Sequence, residues 1–205
     1  MKYIFFFCLI SLHVIGQTPA VPFDAHTWVP PYQLTIPDQW GVERIAFPIE
    51  FAPEIPYKGT EDLRFAPGWA KPESDDYWSY TFLWWLEGSP TIDATTLQEN
   101  LKAYYSGLVG RNISGRNIPA DKVIPTNAVI KKIKATANGE TAYVGTIRML
   151  DYMAQRPMTL QCSITIKPCK DQNRTAVFVA LSPKLPNHPI WKELTNIKDS
   201  FKCSK

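Results

Sequence analysis

The sequence predicts an α+β domain: an antiparallel sheet of about six or seven strands with two helices packed on one face, in the order β-β-β-α-β-β-β-β-α. Three observations carry this. Runs of β-branched and aromatic residues alternate at period two and are bounded by turn residues. Only two segments show the apolar spacing of a helix. Those segments do not alternate with strands as βαβ units would, which argues for an antiparallel sheet.

The chain opens with Lys2, an apolar run from Ile4 to Ile15, and small residues at Gly16 and Ala20. That order is a secretory signal peptide. The run is too short to span a bilayer, which takes about 20 residues. Residues 1–16 are therefore expected to be removed, giving an exported, periplasmic or extracellular protein with no stable membrane insertion after processing. Residues 17–38 hold five prolines and read as an extended arm ending in a short strand near Tyr32–Ile36. Residues 39–205 read as a single domain.

Within the domain, Glu43, Ile45, Phe47, Ile49 and Phe51 share one face of an edge strand interrupted by Pro48. Glu61–Ala66 is a second strand. Residues 76–87 form the strongest strand, with Trp78, Tyr80, Phe82, Trp84 and Leu86 on one face and Tyr77, Leu83 and Trp85 on the other. Asp93 caps the first helix, Leu97, Leu101, Tyr104, Tyr105 and Leu108 form its stripe, and Gly110 is expected to stop it. One hairpin joins Ala128–Thr136 to Thr141–Leu150 through Asn138-Gly139. A second joins Met158–Lys167 to Arg174–Leu181 through 171–173. Pro189 opens the last helix, whose stripe is Ile190, Leu194, Ile197 and Phe201.

Composition is that of a globular protein, 45% hydrophobic and 20% charged, with 13% aromatic residues. The net charge of +3 is too small and too scattered for a nucleic-acid partner. Three cysteines follow the signal segment. Cys162 falls on the apolar face of its strand and behaves as a small hydrophobe. Cys169 ends that strand and Cys203 follows the last helix. The expected disulfide is Cys169–Cys203, with pairings through Cys162 as the alternatives. No metal or other cofactor is expected, because the cysteines lack CxxC spacing and only His26 and His188 remain as histidines.

Two stretches, Tyr32-Gln-Leu-Thr-Ile-Pro-Asp-Gln-Trp40 and Trp191…Leu194…Ile197…Ser200-Phe201, resemble the opening strand and closing helix of the Mog1/PsbP-type fold of exported bacterial lipoproteins and photosystem accessory proteins. The resemblance covers about thirty residues. Arg64-Phe-Ala-Pro-Gly-Trp69 and the Tyr77–Trp85 strand depart from that family. It implies a non-enzymatic accessory or binding domain and carries over no catalytic residue.

Nucleophilic catalysis finds no support: GxSxG, SxxK and HExxH are absent. A carboxylate pair of the glycosidase kind would have to come from different strands, with Glu43, Glu50, Glu54, Asp75, Asp76 and Glu87 as candidates. The aromatic cluster offers stacking surfaces but also fills cores. The ligand-binding candidates are Arg64, Trp69, Tyr77 and Trp85. Arg64, a lone cation among apolar residues, has three readings: it anchors a ligand, snorkels, or pairs with Glu43 or Glu61 across strands. The first functional expectation is a non-catalytic exported binding domain for an envelope or extracellular protein, a glycan or a small apolar ligand. The alternatives are an envelope assembly factor, marked by an unpaired sheet edge, and a carboxylate hydrolase.

Overall fold

A computed structural model describes residues 23–135 and 139–203. Seven antiparallel strands form one sheet: β1 (Gly41–Ala46), β2 (Gly59–Phe65), β3 (Tyr80–Glu87), β4 (Asn127–Ala135), β5 (Thr141–Asp151), β6 (Arg156–Cys169) and β7 (Arg174–Ser182). Their order is β1-β2-β3-β7-β6-β5-β4. Helix α1 (Ala94–Gly115) links β3 to β4 at the far edge, and α2 (Ile190–Asp199) closes the chain. The α+β class, the antiparallel sheet and the element order are those expected.

The alternation within β3 decides what each face needs. Phe82, Trp84 and Leu86 join Val177 and Val179 of β7 beneath Leu97, Leu101, Tyr104 and Tyr105 of α1. Leu83 and Trp85 join Ala176, Phe178 and Ala180 beneath Ile190, Leu194 and Ile197 of α2. Neighbouring residues of a strand point to opposite faces. The helices are thus divided, α1 covering one face and α2, with the arm, covering part of the other. Both faces of β3 and β7 are apolar, so both require cover.

Several boundaries differ from the sequence reading. The expected strand at Tyr32–Ile36 reduces to one bridge, Gln33 to Lys202, because flanking prolines leave few ladder donors. The edge strand ends at Ala46, before Pro48, for the same reason. Residues 76–79 turn rather than extend, with Trp78 at φ 54°. Helix α1 runs past Gly110 to Gly115; an interior glycine costs only about 0.5–1 kcal/mol, and Ile113 still packs on the core. Residues 1–16, read as a signal peptide, lie outside the described residues, as does Asn138 of the expected turn. The disulfide joins Cys169 to Cys203, as expected. Cys162 is free and buried, and burial pushes its thiol up to about 12. Among the described residues no helix is long and apolar enough to cross a membrane.

Candidate functional site

The α1 face of β1–β3 is not fully covered. Helix α1 lies over β4 and β5 and reaches across toward β3, leaving a cleft of about 280 Å³ against the short edge strand β1. Leu63, Trp78, Tyr80, Tyr104 and Tyr152 form its buried floor. Phe51, Phe65, Trp69 and Leu108 are half-buried walls, and Glu43 and Arg111 are exposed at its rim.

The walls are held by specific contacts. Phe65 and Trp69 lie 4.5 Å apart at 30°, and Phe65 and Tyr80 stack at 5.5 Å. Trp69 meets the edge of Trp78 at 6.3 Å and 88°. The loop between β2 and β3 is clamped by Trp78 N donating to Trp69 O at 2.8 Å. Trp78 adopts a left-handed φ that bulky residues rarely take. Asp151, 1% exposed, holds it there. That carboxylate accepts from Trp78 Nε1 at 3.1 Å, from the Tyr77 hydroxyl at 2.8 Å, and from the backbone N–H of Met153 and Ala154. A strained residue fixed by a buried polar hub beside a cleft is a common setting for a site.

Gly107 brings α1 close enough to close the cleft. A Cβ there would stand 1.6 Å from the carbonyl oxygen of Phe51. In a free helix Gly→Ala is stabilising by about 1 kcal/mol. Here Gly107→Ala is expected to destabilise by roughly 1–3 kcal/mol through overpacking and to widen the cleft. Chemical denaturation of the two proteins checks the sign.

Two glutamates flank the cleft. Glu43 pairs with Leu63, and Ile45 with Glu61, so the glutamates are diagonal neighbours on one face of β1 and β2. Diagonal Cβ atoms lie about 7–8 Å apart or less. Glu61 is fully buried; one oxygen accepts from Trp84 Nε1 at 3.0 Å, and Oε2 has no partner among the described residues. Burial pushes its carboxyl up to about 8, against the pull of Trp84 and Tyr104. Tyr104, not Glu61, lines the cleft. The folded-state value exceeds the unfolded one, so the folded protein holds the extra proton. Stability is full below about pH 4.5 and falls as pH rises toward about 8. Its slope there is at most about 1.4 kcal/mol per pH unit. Glu61→Gln is expected to flatten this decline, as urea midpoints between pH 5 and 9 would show.

The four residues chosen from sequence do not form one site. Trp69 lines the cleft. Tyr77 is spent on Asp151. Trp85, 2% exposed, lies on the other face against Tyr32 and Phe201. Arg64 also faces away from the cleft. It pairs neither with Glu43 nor with Glu61 but with Asp62, two residues along its own strand, because alternation along β1 and β2 sends Glu43 and Glu61 to the α1 face. Sequence reasoning missed Tyr104, Tyr152, Glu61 and Arg111. The signal available for Glu61 and Asp62 was three charges within the seven residues of β2, too many for a strand with an apolar neighbour on one side. Among the described residues no group of His, Cys, Asp and Glu is placed to hold a metal. No family model matches this sequence, and no curated protein matches it either.

Proposed function

We propose that this protein is an exported, non-catalytic binding domain whose ligand is a single sugar-sized ring held in the aromatic cleft. The observation that carries this is the lining itself: seven aromatic rings on the floor and walls, among them Trp69 and Tyr104, with a carboxylate and a guanidinium at the rim. A sugar ring has an apolar C–H face to stack on such rings and a hydroxyl edge for polar groups. Among the described residues the side chains of Glu43 and Arg111 make no hydrogen bond or ion pair, so both remain available for that edge. Ligand pockets start at roughly 300 Å³, so the cleft suits one ring rather than a buried chain. The resemblance to exported accessory domains points the same way.

Hydrolysis is the second reading, favoured by a protonated Glu61 diagonal to Glu43. It is less well supported because Glu61 does not reach the cleft surface. An assembly role through strand addition is also less supported. The β4 edge carries Lys131 and Lys132 and a register irregularity between Lys132 and Lys134, devices that blunt edge pairing.

Leu108→Trp should fill the cleft without touching the sheet. Calorimetric titration with monosaccharides is expected to show saturable binding to the protein and at least tenfold weaker binding to this variant. Equal binding by both would rule out the cleft. Release of reducing sugar, abolished by Glu43→Gln, would replace the binding reading with the hydrolytic one.

A further inference from the structure

On the opposite face of the sheet, an open cavity of about 660 Å³ lies between the arm and the β1–β2 edge, lined by Tyr32, Leu34, Arg44, Arg64 and Lys202 among others. Every charged side chain in that lining is a cation. The nearest counterion is Asp62, fully buried. Its two oxygens accept from the Tyr32 hydroxyl at 2.8 Å, from Arg44 Nε at 3.2 Å and from both terminal nitrogens of Arg64. A carboxylate offers about four lone-pair sites, so four donors saturate it.

Two guanidiniums against one carboxylate leave a positive charge uncompensated. Arg64 is 1% exposed, and its Nε has no partner among the described residues. Arg44 gives only its Nε to Asp62, and its guanidinium is held 5.6 Å from the Trp28 ring. The terminal nitrogens of Arg44 and the ammonium of Lys202 have no hydrogen bond or ion pair among the described residues. A part-buried excess cation is costly unless paired, and a guanidinium edge fits the two oxygens of a carboxylate, sulfate or phosphate.

We propose that this second cleft binds an oxyanion, with Arg44 and Lys202 as its ligands and Arg64 supplying the buried charge. The site is independent of the aromatic cleft, which lies across the sheet.

The full-length protein would be titrated by calorimetry with inorganic phosphate, glucuronate and a sulfated monosaccharide, at constant ionic strength set by chloride. Saturable binding is expected, weakened roughly tenfold in Lys202→Gln and more in Arg44→Gln, and unchanged in Leu108→Trp. Tighter binding of the acidic sugars would identify a glycan source, and tighter phosphate binding a free anion. Absence of heat with all three anions, or equal affinity in Lys202→Gln, would overturn the proposal. Lys202→Gln decides alone if Arg44→Gln does not fold, because Lys202 is exposed and bonded only through its backbone.

Discussion

Asp62→Asn is expected to lower stability by about 3–5 kcal/mol, the loss typical of breaking a buried ion pair. Asp62 is the one carboxylate paired with two arginines, and it also accepts from Tyr32. Asparagine keeps the shape but removes the charge, leaving two guanidiniums without a counterion. Burial, and then the charge of Asp62, holds the Tyr32 hydroxyl far above its usual range, so it is a donor at any working pH and also loses a charged acceptor. Domains are stable by about 5–15 kcal/mol in total, so the midpoint of thermal unfolding should fall by roughly 6–20 °C. Adding Arg64→Met to Asp62→Asn should recover part of the loss, because one of the unpaired charges goes with it. If the single variant melts within a degree or two of the wild type, the network contributes nothing measurable.

Removing the Cys169–Cys203 disulfide is expected to cost about 3–4 kcal/mol, from the loop entropy it withholds from the unfolded chain. The bridge spans 34 residues and ties the end of β6 to the segment after α2. That segment makes the paired backbone bonds between Gln33 and Lys202, at 3.1 Å each, and seats Phe201 against Tyr32 and Trp85. A Cys169→Ser, Cys203→Ser variant should therefore melt roughly 6–16 °C lower and show earlier proteolysis in the arm. Cys162 serves as an internal check: its buried thiol should react with alkylating reagents only on unfolding.

Much of the fold could be read from alternation. The alternation over 76–87 marked a strand, observed as Tyr80–Glu87, and the runs Met158–Lys167 and Arg174–Leu181 marked a hairpin, observed as β6 and β7. The boundaries it misplaced are governed by tertiary contacts: Gly110 does not stop α1 because Ile113 continues the packing, and 76–79 do not extend because Asp151, far along the chain, holds Trp78 in a left-handed turn. The distribution of the helices between two faces depended on which strand β7 joins, and β3 pairs with β7 across 88 to 173 without any local signal. The cleft was legible only in Trp69 among the ligand-binding candidates and in Glu43 among the carboxylates. Its other walls come from β1, β2, α1 and the β5–β6 turn, which sequence spacing does not bring together. Arg64 was singled out correctly as an unusual charge. Its expected partners, Glu43 or Glu61, were wrong: a spacing of two on one strand face places Asp62 beside Arg64 and turns Glu61 the other way.

The most direct test of the aromatic cleft is thermal unfolding of the wild type and Trp69→Ala, side by side, across monosaccharides, small apolar rings and acidic sugars. A ligand at a hundred times its dissociation constant adds about 2.7 kcal/mol, which is roughly 5–11 °C for a chain of this size. One class of ring-sized ligand is expected to raise the wild-type midpoint by that amount and to leave Trp69→Ala unmoved. A flat panel from a cooperatively folding protein, or an equal shift in both, would contradict ligand binding at this cleft.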